Sequence, residues 1–291
     1  MRGVILAGGT GSRLSPLTNV VSKHLLPVFD KPMIYYPIST LMAAQIKDIA
    51  IIVNPEYFEN YQRLLGDGSK WGINFKYFIQ SSPKGIAEAY LIASEFIGDE
   101  NVALILGDNI FVGPGMGRAL ERHKEVEGAH VLLYPVNNPE NYGVAEVDSK
   151  GSVTNLVEKP KNPRSRLALT GLIFSDNKSI DFARNLKPSK RNELEITDLL
   201  NCYIDQESLN STILDRGTAW LDMGQTTDLF AASEFVKVVQ ERQGLKIAVP
   251  EEIAWRNKWI SNSDLIKLAS EIHNIEYSGY LQNLPNFMSY D

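Results

Sequence analysis

The chain has 291 residues, 44% of them hydrophobic and 22% charged, with a formal net charge of −6. That is the composition of an ordinary globule with a sizeable core, and the absence of a Lys/Arg block excludes broad binding to nucleic acid or anionic membrane. The single cysteine, Cys202, excludes an intramolecular disulfide and a thiolate metal cluster, no stretch approaches a membrane span, and the opening run to Leu6 is too short for a signal-peptide core, so a cytoplasmic protein is expected.

The first predicted element is a strand at 4–6, which runs straight into Gly8-Gly9-Thr10-Gly11-Ser12-Arg13-Leu14. Glycines let backbone N–H groups approach a ligand closely. Arg13, and Lys23 ten residues on, supply the cations that a polyphosphate needs beside such a turn. The turn is not a Walker A loop, because no Gly-Lys-Ser or Gly-Lys-Thr closes it. It is a poor dinucleotide fingerprint too, since Leu14 stands where the third glycine would be. Taken alone, the turn is equally a tight strand-to-helix connection with Arg13 in water.

Further strands are predicted at 48–53, 75–79, 102–106 and 129–135, with helices at 37–45, 56–65, 85–96 and 117–124 between them. This alternation implies an α/β fold: a Rossmann-like, mainly parallel twisted sheet flanked by helices, with its ligands beyond the carboxyl ends of the strands. From about residue 140 the pattern changes to strands at 144–147, 153–158, 169–174 and 211–214, with fewer helices. A helix-like run at 197–204 carries Cys202, expected to pack as a small apolar group. A long helix at 226–242 and a mostly helical tail over 245–291 complete the chain. No Gly/Ser linker divides it, so one composite domain is expected over 1–243, with a nucleotide part to about 140 and a second ligand part over 141–225.

Two carboxylates stand out. Asp108 follows Leu104-Ile105-Leu106-Gly107, and Asp222 follows Ala219-Trp220-Leu221 and precedes Met223-Gly224. Each ends a short apolar run beside a glycine. Mg²⁺ is typically held by one or two carboxylates plus substrate phosphates, and two aspartates on separate strand ends suit it. Each alone is more often an Asx turn.

The run Gly8-Gly9-x-Gly11-x-Arg13-Leu14, with Lys23 and Pro27, resembles the nucleotide-binding stretch of the sugar-phosphate nucleotidyltransferases. Asp30-Lys31-Pro32-Met33-Ile34-Tyr35-Tyr36-Pro37 is similar to the glucose-1-phosphate thymidylyltransferase family within them, and the resemblance extends through Glu241-Arg242-Gln243-Gly244-Leu245 into Pro250-Glu251-Glu252-Ile253-Ala254. The resemblance implies Mg²⁺-dependent transfer of a thymidylyl group from dTTP to glucose 1-phosphate, giving dTDP-glucose and pyrophosphate, a first step towards dTDP-sugars such as dTDP-rhamnose. A UTP-using or other hexose-1-phosphate transferase is the alternative, and a silent sugar-nucleotide sensor a more distant one.

On this resemblance Gly8, Gly9, Thr10, Gly11, Ser12, Arg13, Lys23, Gln80, Gly85 and Asp108 bind nucleotide, Arg13 and Lys23 are catalytic, and Asp108 and Asp222 hold Mg²⁺. Tyr142, Gly143, Glu158, Lys159, Leu169, Arg191 and Trp220 bind the sugar phosphate. Glutamine suits the imide edge of thymine or uracil, offering one donor and one acceptor. The plain readings stay open beside these: Tyr142-Gly143 as a turn, Trp220 as core, Arg191 on a solvated face. The sequence departs from the family at Lys84, read as a surface residue; at Asn192 for Gly, tolerable at positive φ; and at His24 for Gln, which either touches the nucleotide loop or sits on the surface. The family also implies a homotetramer. The long helix and the tail aromatics Trp255, Trp259 and Tyr280 are expected to serve interfaces. Phe111-Val112-Gly113-Pro114-Gly115-Met116 departs from the family's second-site pattern, so weak or altered inhibition by dTDP-rhamnose is expected although Arg216 and Arg256 match.

Overall fold

The computed structural model describes residues 1–287; the end of the expected tail, 288–291, lies outside them. Strands β1 (Arg2–Ala7), β2 (Pro27–Val28), β3 (Lys31–Pro32), β4 (Asp48–Val53), β5 (Asn74–Ile79), β6 (Val102–Leu106), β7 (Asn109–Val112), β8 (Ala129–Pro135), β9 (Gly143–Val147), β10 (Val153–Glu158), β11 (Leu167–Ser175), β12 (Leu209–Ile213) and β13 (Ala219–Asp222) alternate with helices. These are α1 (Tyr35–Ala43), α2 (Phe58–Leu65), α3 (Glu88–Ile92), α4 (Ser94–Ile97), α5 (Met116–Glu121), α6 (Lys178–Asn185), α7 (Ile196–Asp205), α8 (Thr226–Gln243), α9 (Pro250–Arg256), α10 (Asn262–Glu271) and α11 (Ile275–Phe287).

The main sheet runs in the order β10-β9-β11-β6-β1-β4-β5, with β8 paired to β11 and β12 paired to β8. Strands β6, β1, β4 and β5 are mutually parallel. Both faces of β1, β4 and β6 are covered, which is why these strands are nearly continuous apolar runs, whereas the edge strand β5 carries exposed Asn74 and Lys76. The two-residue period divides them cleanly. Val4, Ala50, Ile52 and Leu104 join one core cluster with Tyr90, Leu199 and Tyr203, whereas Ile5, Ile51, Val53 and Ile105 join the other with Ile38, Leu41 and Met42 of α1. The result is three layers: helix, sheet, helix. The second half enters through β11, which is antiparallel to β6, β8 and β9.

The differences from the sequence reading have local causes. The helix expected at 85–96 does not begin at Gly85. That residue has φ +102, and its neighbours pair with another segment: Leu194 N donates to Lys84 O (2.7 Å) and Ala87 N to Leu194 O (3.2 Å). Helix therefore starts at Glu88, and it divides into α3 and α4 at Ala93. The helix expected from 56 begins as a single 3₁₀ turn, Pro55–Tyr57, in which Asn54 Oδ1 accepts from Glu56 N (2.9 Å). Helix α6 and the ribbon of β7 with β13 were not foreseen. Cys202 is half-buried, not packed as an apolar group, and its Sγ–H points at Asp198 O (3.5 Å).

The tail aromatics are partly spent inside the chain. Tyr280 OH donates to Glu252 Oε2 (2.5 Å) and Trp255 Nε1 to Asn262 Oδ1 (2.6 Å), while Trp259 packs against the core of the parallel block. Buried Glu251 accepts from Trp71 Nε1 (3.1 Å) and Tyr277 OH (3.0 Å), tying α9 and α11 to the body. Exposed apolar side chains remain on the tail at Leu245, Ile266 and Ile275, and others lie on α8. Its Leu229, Ala232 and Val236 are buried, whereas Phe230 is 69% exposed and Val238 47%.

Candidate active site

Because β1, β5 and β6 are parallel, their carboxyl ends meet one edge of the sheet. The glycine turn leaves β1, Gln80 follows β5, and Asp108 follows β6, so three motifs far apart in sequence converge there. They line a cavity of about 390 Å³ with Gly9, Thr10, Gly11, Ser12, Arg13, Lys23, Gln80, Gly85 and Asp108 in its wall. Gly8 is not in that wall. It lies buried under the Gln80 side chain, and a Cβ there would sit 2.2 Å from Gln80 Oε1, so only glycine admits the glutamine. Gly85 is required for a second reason: besides its φ of +102, a Cβ would lie 2.3 Å from Leu194 O.

A second cavity, of about 180 Å³, adjoins the first. Tyr142, Gly143, Glu158, Lys159, Leu169, Trp220 and Asp222 line it. Arg13, Leu106 and Asp108 line both cavities and so form the wall between them. Arg191 is the one expected sugar-phosphate residue outside the lining. It is half-exposed and held by three carboxylates, Glu195 at 2.6 Å, Glu158 at 3.0 Å and Glu193 at 3.5 Å, and it reaches the cavity only through Glu158. Lys159 is less committed, 3.9 Å from Glu158. Its backbone takes φ +42 and its N–H donates to Tyr142 O (3.0 Å), joining the two sides of this wall. Asn192 adopts the positive φ (+59) expected of it, and Lys84 is exposed as expected.

The two aspartates are brought together by the ribbon that the sequence did not reveal. In it Asp222 stands opposite Asn109, and Met223 N donates to Asp108 O (3.1 Å). Burial works against the charge of Asp108, but the ammonium of Lys23, which is ion-paired and hydrogen-bonded to Oδ2, outweighs it and holds the carboxyl below the usual range. Asp222 has no such partner: among the described residues no hydrogen bond or ion pair reaches its carboxylate. Burial, then repulsion from Asp108, pushes it up to about 7. Two hard oxygen donors in repulsion, one unpartnered, fit a divalent cation between them. Among the described residues no group of three or more His, Cys, Asp or Glu forms a metal cage, so such an ion would complete its shell with phosphate oxygens and water.

Arg13 is exposed and its guanidinium makes no hydrogen bond or ion pair among the described residues, leaving its donors for an anion. Lys23 is buried (7% exposed) in a 3₁₀ turn, Lys23–Leu25. His24 is buried too and lines the first cavity, which removes the surface alternative. Its ring crowds Gly107 and lies 3.4 Å from Tyr61 OH; burial brings its pKa down to about 4, which keeps it neutral.

Two supporting residues were missed. Asn109 Oδ1 accepts from Trp220 Nε1 (2.6 Å) and Gly171 N (3.0 Å), and its Nδ2 donates to Asp108 Oδ1 (2.9 Å), fixing the Asp108 carboxylate and the Trp220 ring together. Glu88 takes the amide of Gln80 (2.7 Å). The only signal for Asn109 was adjacency to Asp108.

Residues 2–238 match the family model described as nucleotidyl transferase. The glucose-1-phosphate thymidylyltransferase of Mycolicibacterium smegmatis is 50% identical over 284 residues, covering 98% of this chain and 99% of that protein. That of Neisseria meningitidis is 50% identical over 285 residues, with the same coverage. Among solved structures, a Bacillus anthracis protein described as a candidate glucose-1-phosphate thymidylyltransferase, in complex with sucrose, superposes with a TM-score of 0.74 at 40% identity, covering 81% of this chain and 94% of that one. A UDP-glucose pyrophosphorylase complexed with UDP-glucose shares the fold, with a TM-score of 0.71 at 24% identity, covering 82% and 98%.

Proposed function

Since this chain belongs to the nucleotidyl transferase family, within its glucose-1-phosphate thymidylyltransferase group, we propose that it joins the α-phosphate of dTTP to glucose 1-phosphate. The products are dTDP-glucose, a precursor of further dTDP-sugars such as dTDP-rhamnose, and pyrophosphate. The observation that carries this reading is the wall of Arg13, Leu106 and Asp108 shared by the two cavities. A triphosphate in the larger cavity and a sugar phosphate in the smaller would meet there.

In the reaction a phosphate oxygen of glucose 1-phosphate attacks the α-phosphorus in line. A P–O bond forms, the bond from the α-phosphorus to the bridging oxygen breaks, and pyrophosphate leaves with that electron pair. The nucleophile is already an anion, so no general base is needed. Positioning and charge stabilisation supply nearly all of the catalysis. The backbone from Gly9 to Ser12 holds the β- and γ-phosphates, and Arg13 takes up charge on the departing pyrophosphate. Lys23 faces the α-phosphate from the Asp108 side. Lys159, with Arg191 behind Glu158, holds the sugar phosphate, and Glu158 with the ring of Trp220 orients the hexose. Gln80 and the Gly85 backbone read the base. Enzymes of this family use a divalent metal; we assign it as Mg²⁺ on Asp108 and Asp222, where it supplies Lewis-acid stabilisation of phosphate charge.

The test is pyrophosphate release across a matrix of nucleoside triphosphates and sugar 1-phosphates. Release is expected only with dTTP, or more weakly UTP, together with glucose 1-phosphate and Mg²⁺. Thymine and uracil differ by one methyl, which is worth roughly 1–3 kcal/mol of discrimination, so a large dTTP preference over UTP is not expected. Turnover with ATP or CTP at comparable efficiency would end the imide-pocket reading.

The proposal also divides the chain into a nucleotidyltransferase domain over 1–243 and a C-terminal tail, 244–291, that serves an interface. It places the enzyme in the cytoplasm, where nucleoside triphosphates are made; no helix among the described residues is long and apolar enough to cross a membrane. A homotetramer is expected, with exposed Phe230 and Val238 of α8 in contacts between subunits. Light scattering should give the mass of four chains, and Phe230→Asp should lower it; a monomer at assay concentration would refute the assembly.

A further inference from the structure

We propose that Glu88 is a positioning residue that locks the amide of Gln80 in one orientation and thereby sets the choice between imide and cytosine-type bases. The proposal rests on the reading of the larger cavity as the nucleotide site.

Gln80 is 2% exposed at the cavity wall, its backbone N–H donating to Val53 O (2.9 Å) at the end of β4. Its side-chain Nε2 donates to Glu88 Oε2 at 2.7 Å. The same carboxylate oxygen accepts from Lys84 N at 3.1 Å, which anchors it to the turn that carries Gly85. An ionised carboxylate only accepts. If the Gln80 amide were rotated by half a turn, Oε1 would face Glu88, oxygen against oxygen. The carboxylate therefore fixes what a lone glutamine leaves open: Oε1 on the side away from Glu88, over Gly8, with one Nε2 proton still available.

The consequence follows from the hydrogen-bond patterns of the bases. Thymine and uracil present an N3–H donor beside a carbonyl acceptor. Cytosine presents the reverse, an N3 acceptor beside an amino donor. A glutamine free to rotate matches either pattern in turn. A glutamine whose NH₂ is held by a carboxylate matches the imide and meets cytosine with like groups opposed. Unpaired buried polar groups are what make a hydrogen-bonding site reject the wrong partner. The sequence showed the glutamine but not the lock, because Glu88 lies eight residues on and reaches it only through the turn at 81–87.

The experiment compares dTTP with dCTP, which share a 2′-deoxyribose, as kcat/KM at saturating glucose 1-phosphate. In the wild type dTTP is expected to be strongly preferred; an absence of preference would overturn the nucleotide-site reading itself, and the Glu88 proposal with it. Glu88→Gln keeps the size but can face either end of the Gln80 amide. Its dTTP:dCTP ratio is expected to fall about tenfold or more, through a higher KM for dTTP and a higher kcat/KM for dCTP, with KM for glucose 1-phosphate unchanged. Glu88→Ala, which removes the lock outright, should shift the ratio the same way, and it serves if the glutamine variant does not fold. In a Gln80→Ala background, Glu88→Gln should leave the ratio where Gln80→Ala put it. An unchanged ratio in a preferring enzyme, or equal losses with dTTP and dCTP, would overturn the proposal, since a merely displaced turn harms both nucleotides alike.

Discussion

Arg13→Ala is expected to lower turnover by roughly 10²–10³-fold, the usual cost of removing one charge-stabilising donor, while leaving folding stability within about 0.5 kcal/mol. The side chain is exposed and makes no hydrogen bond or ion pair among the described residues, so only the reaction loses it. Lys23→Ala should match that loss of turnover but with a different stability signature. Lys23 is buried against Asp108, with side-chain exposures of 8% and 19%. Its removal leaves Asp108 facing Asp222 with no cation between. Breaking a fully buried pair costs about 3–5 kcal/mol; the partial exposure of Asp108 brings the expected value to about 1–3 kcal/mol. Pyrophosphate release and thermal or urea unfolding of both variants test this together. Wild-type turnover in either variant would remove that residue from the mechanism. Wild-type stability of Lys23→Ala would show that the ion pair contributes nothing to the fold.

Asp222→Asn is the second large effect. Asparagine keeps the shape of the side chain and removes the charge, so activity at a fixed Mg²⁺ concentration should fall at least about 100-fold, given the several kcal/mol that a bound cation supplies to phosphate chemistry. The Mg²⁺ concentration for half-maximal activity should rise in parallel, and Asp108→Asn should behave alike if both carboxylates serve one ion. Stability gives a reading independent of turnover. Mg²⁺ should raise the melting temperature of the wild type, because a ligand that binds only the folded state stabilises it, and this increment should shrink or vanish in Asp222→Asn. The metal-free variant should be no less stable than the metal-free wild type at pH 8, because the Asp222 carboxylate is buried, repelled by Asp108 and without a partner. A metal titration and a melting increment that both overlay the wild type would make Asp222 a structural residue.

Local order determined what the sequence could announce. Strands β1, β4, β6 and β8 are runs whose apolar character is set by burial, and their limits, like those of β10, matched within a residue or two. The glycine turn, Arg13, Lys23 and the two strand-end aspartates were legible for the same reason: each is a local pattern with its own chemistry. The resemblance to a family then assigned their roles, and the family match is what the comparisons bear out. The sequence also offered Gln80 and Glu158 as candidates, but not the pairing of Gln80 with Glu88 or of Glu158 with Arg191.

Only the tertiary structure decided which of these residues meet. Parallel pairing of β1, β4, β5 and β6 sends the glycine turn, Gln80 and Asp108 to one edge. The short β7–β13 ribbon joins segments more than a hundred residues apart and sets Asp222 opposite Asn109, beside Asp108. A four-residue strand has too few positions to show a period of its own, so nothing in the sequence marked that register. The same holds for Lys23, whose burial depends on Asp108, for Arg191, whose guanidinium is drawn to Glu158 across 33 residues, and for the backbone pairing of Leu194 with the turn at Gly85 that delays α3. Periodicity and turn chemistry act over a few residues and are written locally. Ion pairs, ladder register and the convergence of loops depend on contacts between distant segments, and these exist only once the sheet has formed.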